Sequence, residues 1–130
     1  MSIDLKHIDP AFTDQRGDIT DVMNGDLHYV GVITFTEGAI RGNHYHKQQI
    51  QYTYMLTGEV AFFQKDMSKP DAPIEHVVMK PGDFVSIPVN VAHAYKALSK
   101  SASMMCLTTH TREGSAEYEE DTFRIDSIVS

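Results

Sequence analysis

One cysteine, Cys106, is all the chain has in 130 residues. It cannot close a disulfide within itself, and a reducing cytoplasm is the expected compartment. No apolar run approaches the ~20 residues that a membrane span needs. The first residues, Met1-Ser2-Ile3-Asp4-Leu5-Lys6, lack the apolar stretch of a signal peptide. Basic residues are scarce, 11 Lys and Arg against 18 Asp and Glu, which leaves a net charge of −7 with histidine neutral. That balance argues against nucleic acid or an anionic membrane surface as partner. An anionic small molecule would need a locally basic pocket, because the overall field repels it. Repeats, low-complexity tracts, linkers and 3.6-residue periodicity are also missing, so a helical architecture is excluded.

What remains is a series of short alternating segments broken by turn signals. With 42% hydrophobic and 22% charged residues, they suit a globular all-β chain folded as one domain over residues 1–130. The first dozen residues read as an arm or edge strand, followed by a turn at Asp14-Gln15-Arg16-Gly17-Asp18 and a short strand from Ile19 to Met23. Strands are expected at Leu27–Thr36, Gln51–Leu56, Val60–Gln64, Ile74–Met79, Phe84–Ile87, Ala92–Ala97 and Ala102–Thr109. Lys80-Pro81-Gly82-Asp83 has Pro and Gly in type II turn order. The tail from Arg112 to Asp126 is acidic, and Phe123–Val129 can pair as a last strand or pack across the barrel. Turns at this even spacing point to a sandwich or barrel.

His44 and His46 stand at i and i+2, on one face of a strand and about 6.6 Å apart along the chain. Two imidazoles so placed can reach one metal ion or flank one substrate atom. Gln51 follows five residues after His46, and His93 joins them only if folding brings it in. The other histidines, His7, His28, His76 and His110, are read as surface or satisfied core groups. If Gln51 points inward, Thr53 and Met55 do too, and Tyr52, Tyr54 and Leu56 face outward. His93 inward brings Tyr95 and Ala97 with it. Tyr95 can then either donate a proton or simply line the core. The outward Tyr52, Tyr54 and Leu56 stripe is too apolar to stay wet on a small domain and predicts a homodimer. Cys106 and the seven methionines read as core filler.

The frame around these residues resembles the cupin family. Gly38, five residues, His44-Tyr45-His46, four residues, Gln51, six residues and Gly58 follow its first motif, with Gln in place of Glu. Gly82, five residues, Pro88-Val89-Asn90, two residues, His93, three residues and Ala97 follow the second, with Asn for Gly and Ala for Asn. The resemblance implies an all-β cupin jelly-roll, a double-stranded β-helix barrel. It also implies a site for one divalent transition metal (Zn, Fe, Ni or Mn) held by His44, His46, Gln51 and His93. That ligand set is similar to the one in small cupins that linearise unsaturated uronates. Replacing Glu by Gln leaves a bound ion its full charge, which strengthens it as a Lewis acid.

The chain also looks like a small single-domain RmlC-like cupin of the sugar-nucleotide group, through Arg41-Gly42-Asn43-His44-Tyr45-His46-Lys47, Ala92-His93-Ala94-Tyr95 and the earlier Asp14-Gln15-Arg16-Gly17. In that group the histidines work without metal, as bases beside a keto group. That resemblance implies His44 and His46 as catalytic residues, and Arg41 and Lys47 as ligands of a substrate diphosphate. The late Tyr of the epimerases is expected near Thr108-Thr109-His110, where this chain has none. Both resemblances imply an isomerase shifting protons on a carbohydrate or nucleotide-sugar carbonyl. A metal-dependent dioxygenase and a non-enzymatic small-molecule-binding cupin use the same pocket.

Overall fold

The computed structural model describes residues 3–111 and 116–130; residues 112–115 of the acidic tail, and the first two of the N-terminal arm, lie outside them. Its strands run in order β1 (Asp4–His7), β2 (Phe12–Asp14), β3 (Gly17–Ile19), β4 (Tyr29–Thr36), β5 (Ile40–Tyr45), β6 (Gln51–Thr57), β7 (Val60–Asp66), β8 (Glu75–Met79), β9 (Asp83–Ile87), β10 (Val91–Ala97), β11 (Ser101–Thr108) and β12 (Phe123–Arg124). A single turn of helix, α1 (Ala116–Glu120), precedes β12. Two five-stranded antiparallel sheets, β1-β9-β6-β11-β4 and β12-β5-β10-β7-β8, form the jelly-roll that the motifs imply. No helix among the described residues is long and apolar enough to cross a membrane.

The two sheets face one another through their alternating residues. Met55 and Met104 of the first sheet and Phe62 and Met79 of the second are fully buried, and they belong to one apolar cluster. On β6, Gln51, Thr53 and Met55 are buried, Tyr52 and Tyr54 half-buried and Leu56 exposed, as the period of two requires. On β10, His93, Tyr95 and Ala97 all point to the buried side.

Turn chemistry sets how the strands meet. Lys80–Asp83 closes with Asp83 N–H donating to the Lys80 carbonyl at 2.9 Å, and Gly82 takes φ +92° at the turn position that requires a positive value. Asn90, standing where the second motif has glycine, takes φ +64°, which Asn tolerates better than most residues. Its N–H donates to the His46 carbonyl at 2.7 Å, tying the end of the first motif to the second.

One early element differs from expectation. Ile19 ends a strand instead of starting one: it pairs with Phe12 in a small β2-β3 hairpin, and no strand runs on to Met23. The reason is local. The Asp14 carboxylate accepts from Arg16 N–H at 2.8 Å and from its guanidinium at 3.0 and 2.6 Å, an Asx-type closure that turns the chain back at once.

Candidate functional site

Strand β5 carries His44 and leads into His46, and β10 carries His93 directly opposite His44. The register thus makes the third histidine a neighbour of the first. The three imidazoles cluster, with ring centroids 5.0 Å apart for His44–His46, 4.8 Å for His44–His93 and 5.7 Å for His46–His93. One ring nitrogen from each lies within 4.8 Å of the others.

The orientation of the buried pair follows from their backbone partners. His46 Nδ1 lies 2.8 Å from the Asp121 carbonyl oxygen. A carbonyl only accepts, so Nδ1 carries the proton and Nε2 keeps its lone pair. His93 Nδ1 faces the Val91 carbonyl at 3.4 Å in the same sense. The Nε2 atoms of His46 and His93 are buried without a protein partner, an arrangement that costs free energy unless another group meets them. Burial pushes the His46 pKa down, against the Asp121 carbonyl and carboxylate and Gln51, which pull it up. His93 is pushed well below its usual value, by burial first and then by His44 and His46. Both are neutral at pH 7, the form that ligates a metal or accepts a proton.

Gln51 lies one strand over. Its Nε2 donates to the Tyr95 hydroxyl at 3.2 Å, and that hydroxyl stands 2.6 Å from Thr53 Oγ1. The chain of bonds leaves the Gln51 carbonyl oxygen free of Tyr95. Burial, with a smaller contribution from Cys106, raises the Tyr95 pKa far above that of a free phenol, so Tyr95 holds its proton tightly and serves to orient Gln51.

Above the histidines opens a cavity of about 540 Å³ whose wall includes Arg41, His44, Gln51, His93 and Tyr95. Lys47 is not among the lining residues; its ammonium sits 4.4 Å over the Phe123 ring. Cys106 lines the cavity as well as the core.

The C-terminal segment completes the wall with Tyr118, Glu119 and Arg124, none of which sequence reasoning found. The Tyr118 ring stands 5.8 Å from that of His46, an aromatic side chain brought to the cavity wall from a segment later than Thr108–His110. The missed signal is Asp121. Its carboxylate accepts from the backbone N–H groups of Lys47, Gln48 and Gln49 at 2.8 to 3.2 Å, an anion seated in a nest of successive amides. Asn43, at φ +58°, secures the rest of the tail by accepting from Ile125 and Ile128 N–H at 2.9 and 3.0 Å. Asp121→Ala is expected to cost about 3 kcal/mol of stability, because a buried charge-assisted network loses its acceptor. Urea unfolding measures it, and a loss under about 1 kcal/mol means the carboxylate does not hold the loop.

The family model described as a cupin domain matches residues 31–110, which include both motifs and all three clustered histidines. The chain belongs to the cupin family. This cupin matches no curated protein. Among solved structures it is similar to a 3,4-ketoisomerase from Helicobacter canadensis, at TM-score 0.80 and 19% identity over 96% of this chain and 92% of that one. It is similar to the 3,4-ketoisomerase QdtA from Thermoanaerobacterium thermosaccharolyticum in complex with TDP, at TM-score 0.76 and 21% identity over 95% and 88%. The rmlC epimerase of Mycobacterium tuberculosis aligns at TM-score 0.76 and 16% identity over 96% and 73%. Identities this low make the likeness one of fold.

Proposed function

We propose that this cupin is an isomerase that shifts a proton beside the carbonyl of a carbohydrate, with nucleotide-linked deoxysugars as the substrate class. The observation that carries the reading is the cluster of His44, His46 and His93, two of its imidazoles buried and neutral, under a cavity with guanidinium groups in its wall. The structural neighbours named for ketoisomerase and epimerase activity, one of them holding TDP, supply the substrate class.

His44, His46 and His93, with the Gln51 carbonyl oxygen as fourth ligand, also fit one divalent transition metal. The orphaned Nε2 atoms of His46 and His93 have the lone pairs a metal needs, and the group whose ligand atoms converge consists of the three histidines, with the Asp121 carboxylate engaged by the backbone amides of Lys47, Gln48 and Gln49. A metal there would polarise a substrate carbonyl. Without one, His44 is the base that meets the substrate, since it lines the cavity while His46 stands behind it. The two uses compete for the same nitrogen atoms, and metal analysis separates them.

Incubating the protein with TDP-4-keto-6-deoxyglucose in D₂O tests the reaction class. Deuterium entering the sugar carbon next to the keto group, read by NMR, is the expected result. Oxygen uptake without exchange identifies a dioxygenase, and binding without either identifies a binding module.

The outward face of β6 supports a homodimer. Met105 on β11 pairs with both Tyr54 and Val32, and Leu107 with both Tyr52 and Val30. The Tyr52, Tyr54 and Leu56 stripe therefore continues onto Val30 and Val32, which are 54% and 64% exposed. A second copy burying that face is the expected occupant. Light scattering should report twice 14.6 kDa at micromolar concentration, and Tyr54→Glu should shift the population to monomer. A wild-type monomer removes the assignment.

A further inference from the structure

Three buried side-chain polar atoms lack a hydrogen-bond partner among the described residues: His46 Nε2, His93 Nε2 and Gln64 Oε1. The first two belong to the cluster. Gln64 is 1% exposed and is no part of the cavity wall. It sits on the inward face of β7, which is apolar at Val60 and Phe62. An amide in that place costs free energy unless both its ends are met.

The strand register puts it behind the histidines. Gln64 pairs with His93 on β10 and with Glu75 on β8, and His93 pairs in turn with His44 on β5. Residues directly opposite in antiparallel strands share a face, so Glu75, Gln64, His93 and His44 form one polar row across the sheet. Gln64 Nε2 donates to Glu75 Oε1 at 3.4 Å. A carboxylate only accepts, which fixes the amide nitrogen toward β8 and leaves the oxygen as the orphan. On the other side, His93 Nδ1–H faces the Val91 carbonyl at 3.4 Å, long beside the usual value of about 2.9 Å. His46 Nδ1 stands 2.8 Å from its carbonyl. One imidazole of the cluster is thus firmly aimed. The other has a loosely held donor, opposite a residue with an unmet buried acceptor.

We propose that Gln64 is a positioning residue for His93: its Oε1 accepts from His93 Nδ1–H once a metal engages Nε2, and Glu75 holds the amide in that sense. Every group then has the role its chemistry allows. Glu75 accepts, the amide donates at one end and accepts at the other, and the imidazole donates from Nδ1 and keeps its Nε2 lone pair. Such an outer partner fixes the tautomer and orientation of the ring and raises the basicity of its ligating nitrogen. The relay rests on the reading of the cluster as a metal site and adds two residues to it, neither of which touches the ligand.

Zinc affinity by chelator competition, with NMR of zinc-loaded protein carrying ¹⁵N-labelled histidine, tests the relay. Gln64→Leu should weaken zinc about tenfold or more and move the His93 Nδ1–H resonance, leaving that of His46 in place. Its metal-free stability should match or exceed that of the wild type, since the orphaned amide is gone. A merely structural glutamine would change stability and not zinc affinity. Gln64→Glu, which keeps an oxygen acceptor at the same reach, should bind zinc more tightly than Gln64→Leu. Glu75→Leu, at the half-buried end of the row, should weaken zinc by less than Gln64→Leu, and it carries the test if Gln64→Leu does not fold. Wild-type zinc affinity in Gln64→Leu, or in Glu75→Leu where Gln64→Leu does not fold, overturns the relay and leaves the metal reading intact. So does a His93 resonance that Gln64→Leu does not move. No zinc bound by the wild type overturns both.

Discussion

Purified protein is expected to hold close to one divalent transition metal per chain, and chelation is expected to lower its melting temperature. At a free metal concentration 1,000 times Kd, binding adds about 4 kcal/mol, which for a chain of 130 residues is on the order of 15 °C. His46 Nδ1 and His93 Nδ1 are turned to carbonyls, so both Nε2 atoms are acceptors, and both are buried with nothing to accept from. His93→Ala should abolish the difference between metal-loaded and metal-stripped protein. Taking that difference within each variant cancels the cost of the cavity that the substitution leaves. Elemental analysis below a tenth of an equivalent, with no reloading by Zn, Ni, Fe or Mn, assigns these imidazoles to acid–base work instead.

The metal-stripped protein should also lose stability as the solution is acidified. Burial lowers the folded-state pKa of His46 and His93 below the ordinary 6.5. The unfolded chain therefore takes up protons in a range where the folded chain does not. Stability is fully present above 6.5 and falls as pH drops from there toward the folded-state values. Urea unfolding at pH 7.5 and pH 5.5 measures the loss, and a His93→Ala variant should show a shallower pH dependence. Equal slopes for the two proteins contradict it.

Gly42→Ala is the second large effect. Gly42 takes φ +101°, and a Cβ added there would lie 2.7 Å from the His93 carbonyl oxygen and 3.0 Å from Ala94 Cα. Both obstacles are backbone, so nothing flexible can yield. Strain at such a φ costs about 1 to 3 kcal/mol, and the contact adds to it by forcing β5 away from β10. Those are the strands that set His44 against His93, so affinity for metal should fall together with stability. Gly38→Ala is the control: Gly38 takes φ +76°, but a Cβ there meets nothing within 4 Å. It should pay the strain alone and leave metal binding unchanged. Thermal unfolding of both variants decides the point; a Gly42→Ala as mild as Gly38→Ala shows that close strand approach at this position is not required.

Much of the site is legible in the chain because a strand converts spacing into direction. Intervals in the two motifs, together with the period of two, suffice to aim His44, His46, Gln51, His93 and Tyr95 into one space, and to turn Tyr52, Tyr54 and Leu56 away from it. Local chemistry likewise carries the Lys80–Asp83 turn and the positive φ of Asn90. The hairpin at Phe12–Ile19 was less legible, since the Asp14–Arg16 closure is a side-chain choice that alternation does not record. The C-terminal wall was not legible at all. Asp121 meets His46 across 75 positions, and the segment from Tyr118 to Arg124 has no repeating pattern to show which way it folds. Only docking against the loop after His46, where three backbone amides need an acceptor, brings Tyr118, Glu119 and Arg124 to the cavity. The same docking leaves Lys47 over Phe123. Strand periodicity is a property of the backbone and travels with the sequence. The partner of a buried amide or a long cationic side chain is chosen by what the tertiary structure happens to place within reach.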